Sequence, residues 1–299
     1  DWSSDVCSSD LRNIQMIASN TTRKKVKKES FMQGVIALMF SQVLIKALGF
    51  IYKWYLTNKE GFGDDGNAIY SAGYNIYALL LTISSIGVPN AVSKLISERI
   101  TLGDSKGAHR IFKVALLTFS VIGMAGTLFL LFGAKSISNM MGMPEAEMVL
   151  VALSPSLFFV AISSVFRGFF NGQSKIKVTA NSQTLEQVFK TLFTIMVVEL
   201  VVIYSGINTQ IMAAGATVAT TMATITSFLY MYAYYQIHKK EKLVTGDQIE
   251  NSDVMKKRTW QIIKSILWVS IPMSLSAILT SLNKNIDSFT VVNLLQKFL

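Results

Sequence analysis

A few ionisable side chains lie within long apolar stretches of this chain, and they are its strongest candidates for chemistry. Lys46 lies in the apolar stretch 31–50, and Lys53 follows it by seven residues. Because seven residues are close to two helical turns, both ammonium groups project from nearly the same face of a helix. A cationic face inside a helix bundle can bind an anion such as a pyrophosphate. For Lys53, the alternative is that its ammonium reaches the membrane surface.

The acidic side chains in these stretches allow more than one interpretation. Glu186 and Lys190 are four residues apart in the order that favours a helical ion pair, so we predict a structural pair. Glu199 is flanked by apolar residues and is either a proton or cation coupling site or a carboxylate that faces the headgroups. Asp287, with Lys284 as its partner, either lines a cavity as a substrate or ion-coupling residue or belongs to a charged loop. Apolar residues resume after Asp287, which favours the cavity.

The sequence contains no recognisable catalytic or metal-binding motif. His109 and His238 stand beside basic residues without metal-ligand spacing, and zinc-protease, nucleophile-elbow and phosphate-loop patterns are missing. Tyr70, Tyr74 and Tyr77 share one helical face, but such tyrosines are common at membrane interfaces. We therefore expect a protein that is not an enzyme and that uses no metal or other cofactor.

The composition indicates that helices in a membrane position these residues. The chain has 299 residues, of which 51% are apolar and only 15% are charged, whereas soluble domains average about 25% charged residues. A bilayer core needs about 20 mostly apolar residues per helix. Seven stretches meet this requirement: 31–50, 66–93, 114–134, 148–166, 181–204, 211–237 and 265–283.

The Lys and Arg residues between the spans predict the orientation. With the N-terminus inside, the inner loops hold 21 of them and the outer loops hold 4. Because inner loops of membrane proteins are rich in Lys and Arg, we expect a cytoplasmic N-terminus. This arrangement accounts for the net charge of +10 without any nucleic-acid partner.

The chain divides into five predicted segments. Residues 1–11, which include Cys7, are polar and lack the basic start and apolar core of a signal peptide, and we interpret them as a sequencing-adapter artefact. Residues 12–29 form a basic cytoplasmic segment, 30–237 a six-helix bundle, 238–260 a polar linker, and 261–299 the start of a second bundle. We interpret the chain as a fragment of a longer protein.

Two groups of motifs carry a family resemblance. The first contains the stretches LGFIY at 48–52, AIYS at 68–71 and IGVPNAVSKLISE at 86–98, and the second contains RGFFNGQ at 167–173 and TLEQVFK at 184–190. Together they resemble the polysaccharide-biosynthesis flippases of the stage V sporulation protein B type. These belong to the multidrug/oligosaccharidyl-lipid/polysaccharide exporter superfamily, called MOP or MATE-like, which includes the lipid II flippase MurJ.

The resemblance implies an all-α polytopic membrane protein: the N-terminal six-helix lobe of a MATE/MOP-type transporter plus the first helix of a second lobe. It implies alternating access, in which the saccharide headgroup crosses a central cavity while the polyprenyl tail stays in lipid. In the lipid II flippase, arginines of the first helix contact the pyrophosphate. Lys46 falls at the first of those positions, and Tyr52 or Lys53 falls near the second. A further arginine on the second helix of that flippase has no counterpart in this sequence. This difference argues against lipid II itself as the substrate but not against other anionic lipid-linked substrates.

The expected function is therefore a flippase for a polyprenyl-pyrophosphate-linked saccharide in the bacterial cytoplasmic membrane. We expect its partners to be that substrate and the lipid bilayer, with no nucleic acid, and the full-length transporter to be monomeric. One alternative is a cation-coupled multidrug exporter, which requires a carboxylate-rich cavity, whereas spans one to four offer Lys46 and no acid. Another is a membrane glycosyltransferase or ligase of the same pathway, which requires acidic catalytic loops.

Overall fold

The computed structural model describes residues 32–85, 87–238, 259–272, 274–275, 279 and 290, and all regular secondary structure in these ranges is helical. The helices, in chain order, are α1 (Met32–Asn58), α2 (Gly63–Ser85), α3 (Gly87–Thr101), α4 (Ser105–Met140), α5 (Glu147–Gly172), α6 (Ile176–Ser205), α7 (Thr209–His238) and α8 (259–272). A 3₁₀ turn, Pro144–Ala146, precedes α5.

Six helical segments are long and apolar enough to cross a membrane. They are α1, the stretch Gly63–Thr101 that contains α2 and α3, α4, the stretch Pro144–Gly172 that contains α5, α6 and α7. The predicted all-α polytopic fold and its first six spans are confirmed. The seventh predicted span, 265–283, lies only partly within the described residues, where α8 covers its beginning.

The helices extend further than the apolar stretches that predicted them. Helix α4 has 36 residues and is therefore about 54 Å long, whereas the hydrocarbon core of a bilayer is about 30 Å thick. Its N-terminal turns carry Lys106, Arg110 and Lys113, which hydropathy excludes from a span although they continue the helix. Asp104 caps these turns by accepting a hydrogen bond from the Gly107 amide at 2.7 Å.

Helix α5 is the centre of the bundle and packs against α2, α3, α4 and α7. Its sequence is apolar on all sides, as expected for a helix surrounded by protein. Leu153 and Leu157 belong to one buried cluster with α2 and α7, while Phe166 and Phe169 belong to a second cluster with α3, α4 and α8. Within a membrane, close packing rather than exclusion of water supplies most of this stabilisation.

The two groups of family motifs meet at the contact between α3 and α5. A Cβ atom on Gly168 would lie 2.7 Å from Val92 Cβ and 2.9 Å from the Pro89 carbonyl oxygen, and one on Gly172 would lie 2.9 Å from Ile96 Cβ. These distances leave no room for a side chain, so the two glycines allow the backbones of α3 and α5 to approach closely. The described part of the first motif, 87–98, and the motif at 167–173 therefore form one helix–helix interface.

Helix α1 lies at the edge of the bundle and contacts α6 through polar groups along its length. Ser41 Oγ donates to the Ala180 carbonyl oxygen at 3.0 Å, and Gln42 Nε2 donates to Gln183 Oε1 at 2.9 Å. The remaining surface of α1 is mostly apolar and exposed, including the side chains of Ile36, Met39, Phe40, Val43, Phe50, Ile51 and Trp54.

Candidate functional site

Lys190 of α6 lies inside the bundle between two tyrosine rings. Its side chain is buried, with 7% of the residue surface exposed. Its Nζ atom lies 5.0 Å from the ring centroid of Tyr52 on α1 and 4.9 Å from that of Tyr74 on α2. Both distances are within the range in which a ring face attracts a cation.

In the structure, Glu186 forms an ion pair with Arg167, whereas the sequence predicted Lys190 as its partner. Arg167 Nη2 of α5 donates to Glu186 Oε2 at 2.6 Å, and the same Nη2 lies 3.4 Å from Ser227 Oγ on α7. Lys190 is absent from the ion pairs between described residues. Although the two side chains are spaced correctly on α6, arginine and tyrosines from neighbouring helices contact them instead.

Four tyrosines, Tyr52, Tyr70, Tyr74 and Tyr77, form what we call the tyrosine cluster. The rings of Tyr70 and Tyr74 stack with centroids 5.7 Å apart, and Tyr77 lies 5.5 Å beyond Tyr74. Tyr70 and Tyr77 are buried. The shared face of residues 70, 74 and 77 was visible in the sequence, but it points into the bundle towards Lys190 instead of forming an ordinary interface belt.

Lys53 contacts the same cluster from the exposed side of α1. Its Nζ atom lies 5.6 Å from the ring centroid of Tyr70, so two ammonium groups, those of Lys53 and Lys190, contact the tyrosine cluster. Lys46 is exposed on α1, two turns before Lys53. The ion pairs within the described ranges involve neither Lys46 nor Lys53, so the positive charge beside the cluster is not neutralised by a carboxylate there.

Glu199 of α6 is engaged by two partners from the end of α1 and the turn after it. Its Oε1 atom accepts from Lys59 Nζ at 2.5 Å and from Tyr55 Oη at 2.6 Å. The carboxylate side chain is 44% exposed. This arrangement joins the C-terminal ends of α1 and α6, and it supports the interpretation in which Glu199 lies towards the membrane surface.

The remaining predicted site residue, Asp287, and its predicted partner Lys284 lie outside the described residues. Within the described part of the chain, no three His, Cys, Asp or Glu side chains come together as a metal site.

The residues brought together are thus Lys53, Lys190 and the tyrosine cluster, where α1, α2 and α6 meet. Two cations, tyrosine hydroxyls and aromatic faces can bind an anion and a sugar ring. Sequence reasoning placed Lys53 and Tyr52 here but assigned Lys190 to an ion pair and gave Tyr70 and Tyr74 no role.

Comparisons with known proteins show which family the chain belongs to. The family pattern described as "Polysaccharide biosynthesis protein" matches residues 31–297. Stage V sporulation protein B of Bacillus subtilis (strain 168) is 28% identical over 217 residues, covering 72% of this chain and 41% of that protein. Lipid II flippase MurJ of the same organism is 27% identical over 218 residues, covering 70% and 40%. The chain therefore spans about two fifths of the length of these relatives.

Solved structures share the fold at low sequence identity. A crystal structure of MATE in complex with Br-NRF superposes with a TM-score of 0.67 at 20% identity, over 86% of this chain and 57% of that one. A MOP superfamily transporter from Pyrococcus furiosus, described as having a binding pocket of reverse polarity, gives 0.65 at 20% identity over 84% and 52%. By its match across residues 31–297, the chain belongs to the polysaccharide biosynthesis protein family, and its helices have the fold of MATE and MOP transporters.

Proposed function

We propose that this chain supplies the first lobe of a flippase that moves a polyprenyl-pyrophosphate-linked saccharide across the bacterial cytoplasmic membrane by alternating access. The observation that carries the proposal is the pair of cations at the tyrosine cluster, which no described carboxylate neutralises. The names of the two curated relatives, one of them a lipid II flippase, support it.

In this proposal, Lys46 and Lys53 bind the pyrophosphate from the exposed face of α1, and Tyr52 lies beside it. Each ammonium can donate a charge-assisted hydrogen bond to a phosphate oxygen, so each lysine can add to the affinity for the pyrophosphate. The exposed apolar residues of α1, such as Phe50 and Trp54, can contact the polyprenyl tail. Asp287 remains proposed as a substrate or ion-coupling residue.

The domain arrangement and orientation are part of the same proposal. Residues 30–237 form the first lobe, 238–260 link it to a second lobe that begins at 261, residues 12–29 are cytoplasmic, and residues 1–11 are not native. The transporter is monomeric and carries out no covalent chemistry.

A cation-coupled multidrug exporter fits the site less well. Such a transporter needs a carboxylate that is free to bind a cation or proton. In the described part of the lobe, Glu186 and Glu199 within the spans are each paired with a basic side chain. This supports an anionic substrate over a cationic one.

The test is flipping of a fluorescent polyprenyl-pyrophosphate saccharide in liposomes that contain the complete transporter. Lys53→Met and Lys46→Met should each lower the initial rate at least tenfold, because each removes a charge that binds the pyrophosphate. Lys135→Met, at an exposed position near the C-terminal end of α4, is the matched control and should keep the wild-type rate. Wild-type rates in both α1 variants would remove these lysines from the site.

A further inference from the structure

The ammonium group of Lys190 is unusual, because it is buried in the bundle without an ion-pair partner among the described residues. Lys190 is the one lysine among the described residues whose side chain is buried. None of the ion pairs between described residues includes it. Burying an ammonium ion is costly even after the protein relaxes around it. The Tyr52 and Tyr74 ring faces recover part of this cost. An anion beside the ammonium would recover more, because charge-assisted hydrogen bonds are stronger than neutral ones.

Hydroxyl groups near Lys190 can donate hydrogen bonds to an anion. Thr194 lies one turn further along the same face of α6, is 1% exposed, and its Oγ1 finds no hydrogen-bond partner among the described residues. The buried Tyr70 carries a hydroxyl group and stacks on Tyr74, which covers Lys190. Lys53 Nζ lies 5.6 Å from the centroid of the Tyr70 ring.

We propose that Lys190 is an occluded phosphate-binding residue, a second anion subsite behind the exposed lysines of α1. The inference rests on the proposed function, since it takes the pyrophosphate of a lipid-linked substrate as the ligand. Lys53 meets the pyrophosphate at the exposed side of the tyrosine cluster, and Lys190 receives it when the headgroup moves inward past Tyr52. Thr194 Oγ1 supplies a hydroxyl donor beside the ammonium.

A structural role for Lys190 predicts different behaviour. If the cation–π contacts hold α1, α2 and α6 together, replacing Lys190 by methionine lowers the unfolding temperature. If Lys190 instead binds an anion, Lys190→Met removes the cost of a buried charge and keeps a side chain of similar length. The unfolding temperature without anion then stays the same or rises. The two roles therefore differ in the sign of the change before any ligand is added.

The experiment measures thermal unfolding of the complete transporter in nanodiscs at constant ionic strength, with inorganic pyrophosphate as the first probe and chloride as its control. A second arm places polyprenyl pyrophosphate, or the uncharged polyprenol, in the nanodisc to distinguish a lipid headgroup from a free anion. The variants are Lys190→Met, Lys190→Arg, which keeps the charge, and Lys135→Met as the exposed control.

We expect a pyrophosphate-dependent rise in the unfolding temperature of the wild type, of Lys190→Arg and of Lys135→Met. Lys190→Met should unfold at an equal or higher temperature without anion and should need at least tenfold more pyrophosphate, free or lipid-linked, for the same rise. A lower starting temperature with an unchanged pyrophosphate response would make Lys190 structural and overturn the inference. An equal response to chloride would overturn the phosphate assignment.

The flipping assay separates this inference from the proposed function. Wild-type flipping that Lys190→Met leaves unchanged would overturn the role of Lys190 and leave the flippase proposal standing. A wild type that neither binds nor flips pyrophosphate lipids would overturn both.

Discussion

Arg167 and Glu186 join α5 to α6, and we predict that each stabilises the lobe only while the other is present. Their side chains are 11% and 27% exposed, and the Nη2–Oε2 distance is 2.6 Å. Removing one partner of a buried ion pair costs about 3–5 kcal/mol because the other charge stays buried and unpaired. Since Glu186 is a quarter exposed, we expect the lower end, about 3 kcal/mol, for Arg167→Met or Glu186→Met alone.

The double variant should lose less than either single variant, because two methionines of similar size fill the space and leave no unpaired charge. The measurement is the unfolding free energy of each variant in detergent by denaturant titration, arranged as a double-mutant cycle. The control cycle pairs Glu186→Met with Lys135→Met, an exposed position on α4, and should show a coupling below about 0.5 kcal/mol. Additive losses in the first cycle would refute the pairing described above.

Three further predictions concern the bundle. Gly172→Val should destabilise the protein by about 1–3 kcal/mol, measured by the same titration, because its side chain meets α3; a neutral result would contradict the close approach of α3 and α5. Glu199→Gln should cost less than about 1 kcal/mol and leave flipping intact, because its exposed pair with Lys59 contributes little; loss of flipping with normal stability would instead assign it to ion coupling. The cysteine introduced by Lys113→Cys should react with an impermeant maleimide only from the cytoplasmic side, and that introduced by Lys135→Cys only from outside; the reverse pattern would invert the proposed orientation.

The helices of the bundle could be predicted from the sequence because each span is a continuous apolar stretch. About 20 consecutive apolar residues have few stable arrangements other than a membrane helix, and this criterion found all six described spans. Their ends were less predictable. Hydropathy detects the hydrocarbon boundary, whereas helices such as α4 continue through charged residues into the headgroup region.

The site was only half predictable, for a physical reason. Lys46 and Lys53 are neighbours on one helix, so helical spacing alone relates them. Lys190 and its rings come from α6, α1 and α2, and more than one hundred residues separate Lys190 from Tyr52 and Tyr74. The local four-residue rule therefore assigned Lys190 to Glu186, although tertiary packing gives each a different partner. Likewise, the apolar residues beside Glu199 did not indicate that Lys59 would pair with it.

The central claim is that the lobe handles an anionic lipid-linked saccharide, and substrate charge tests it most directly. The measurement compares flipping of one saccharide carried on polyprenyl pyrophosphate and on an uncharged lipid, by the complete transporter in liposomes. We predict at least a tenfold higher initial rate for the pyrophosphate form, and Lys53→Met should reduce this rate towards that of the uncharged lipid. Equal rates for both lipids, or transport of cationic drugs without flipping of the pyrophosphate lipid, would contradict it.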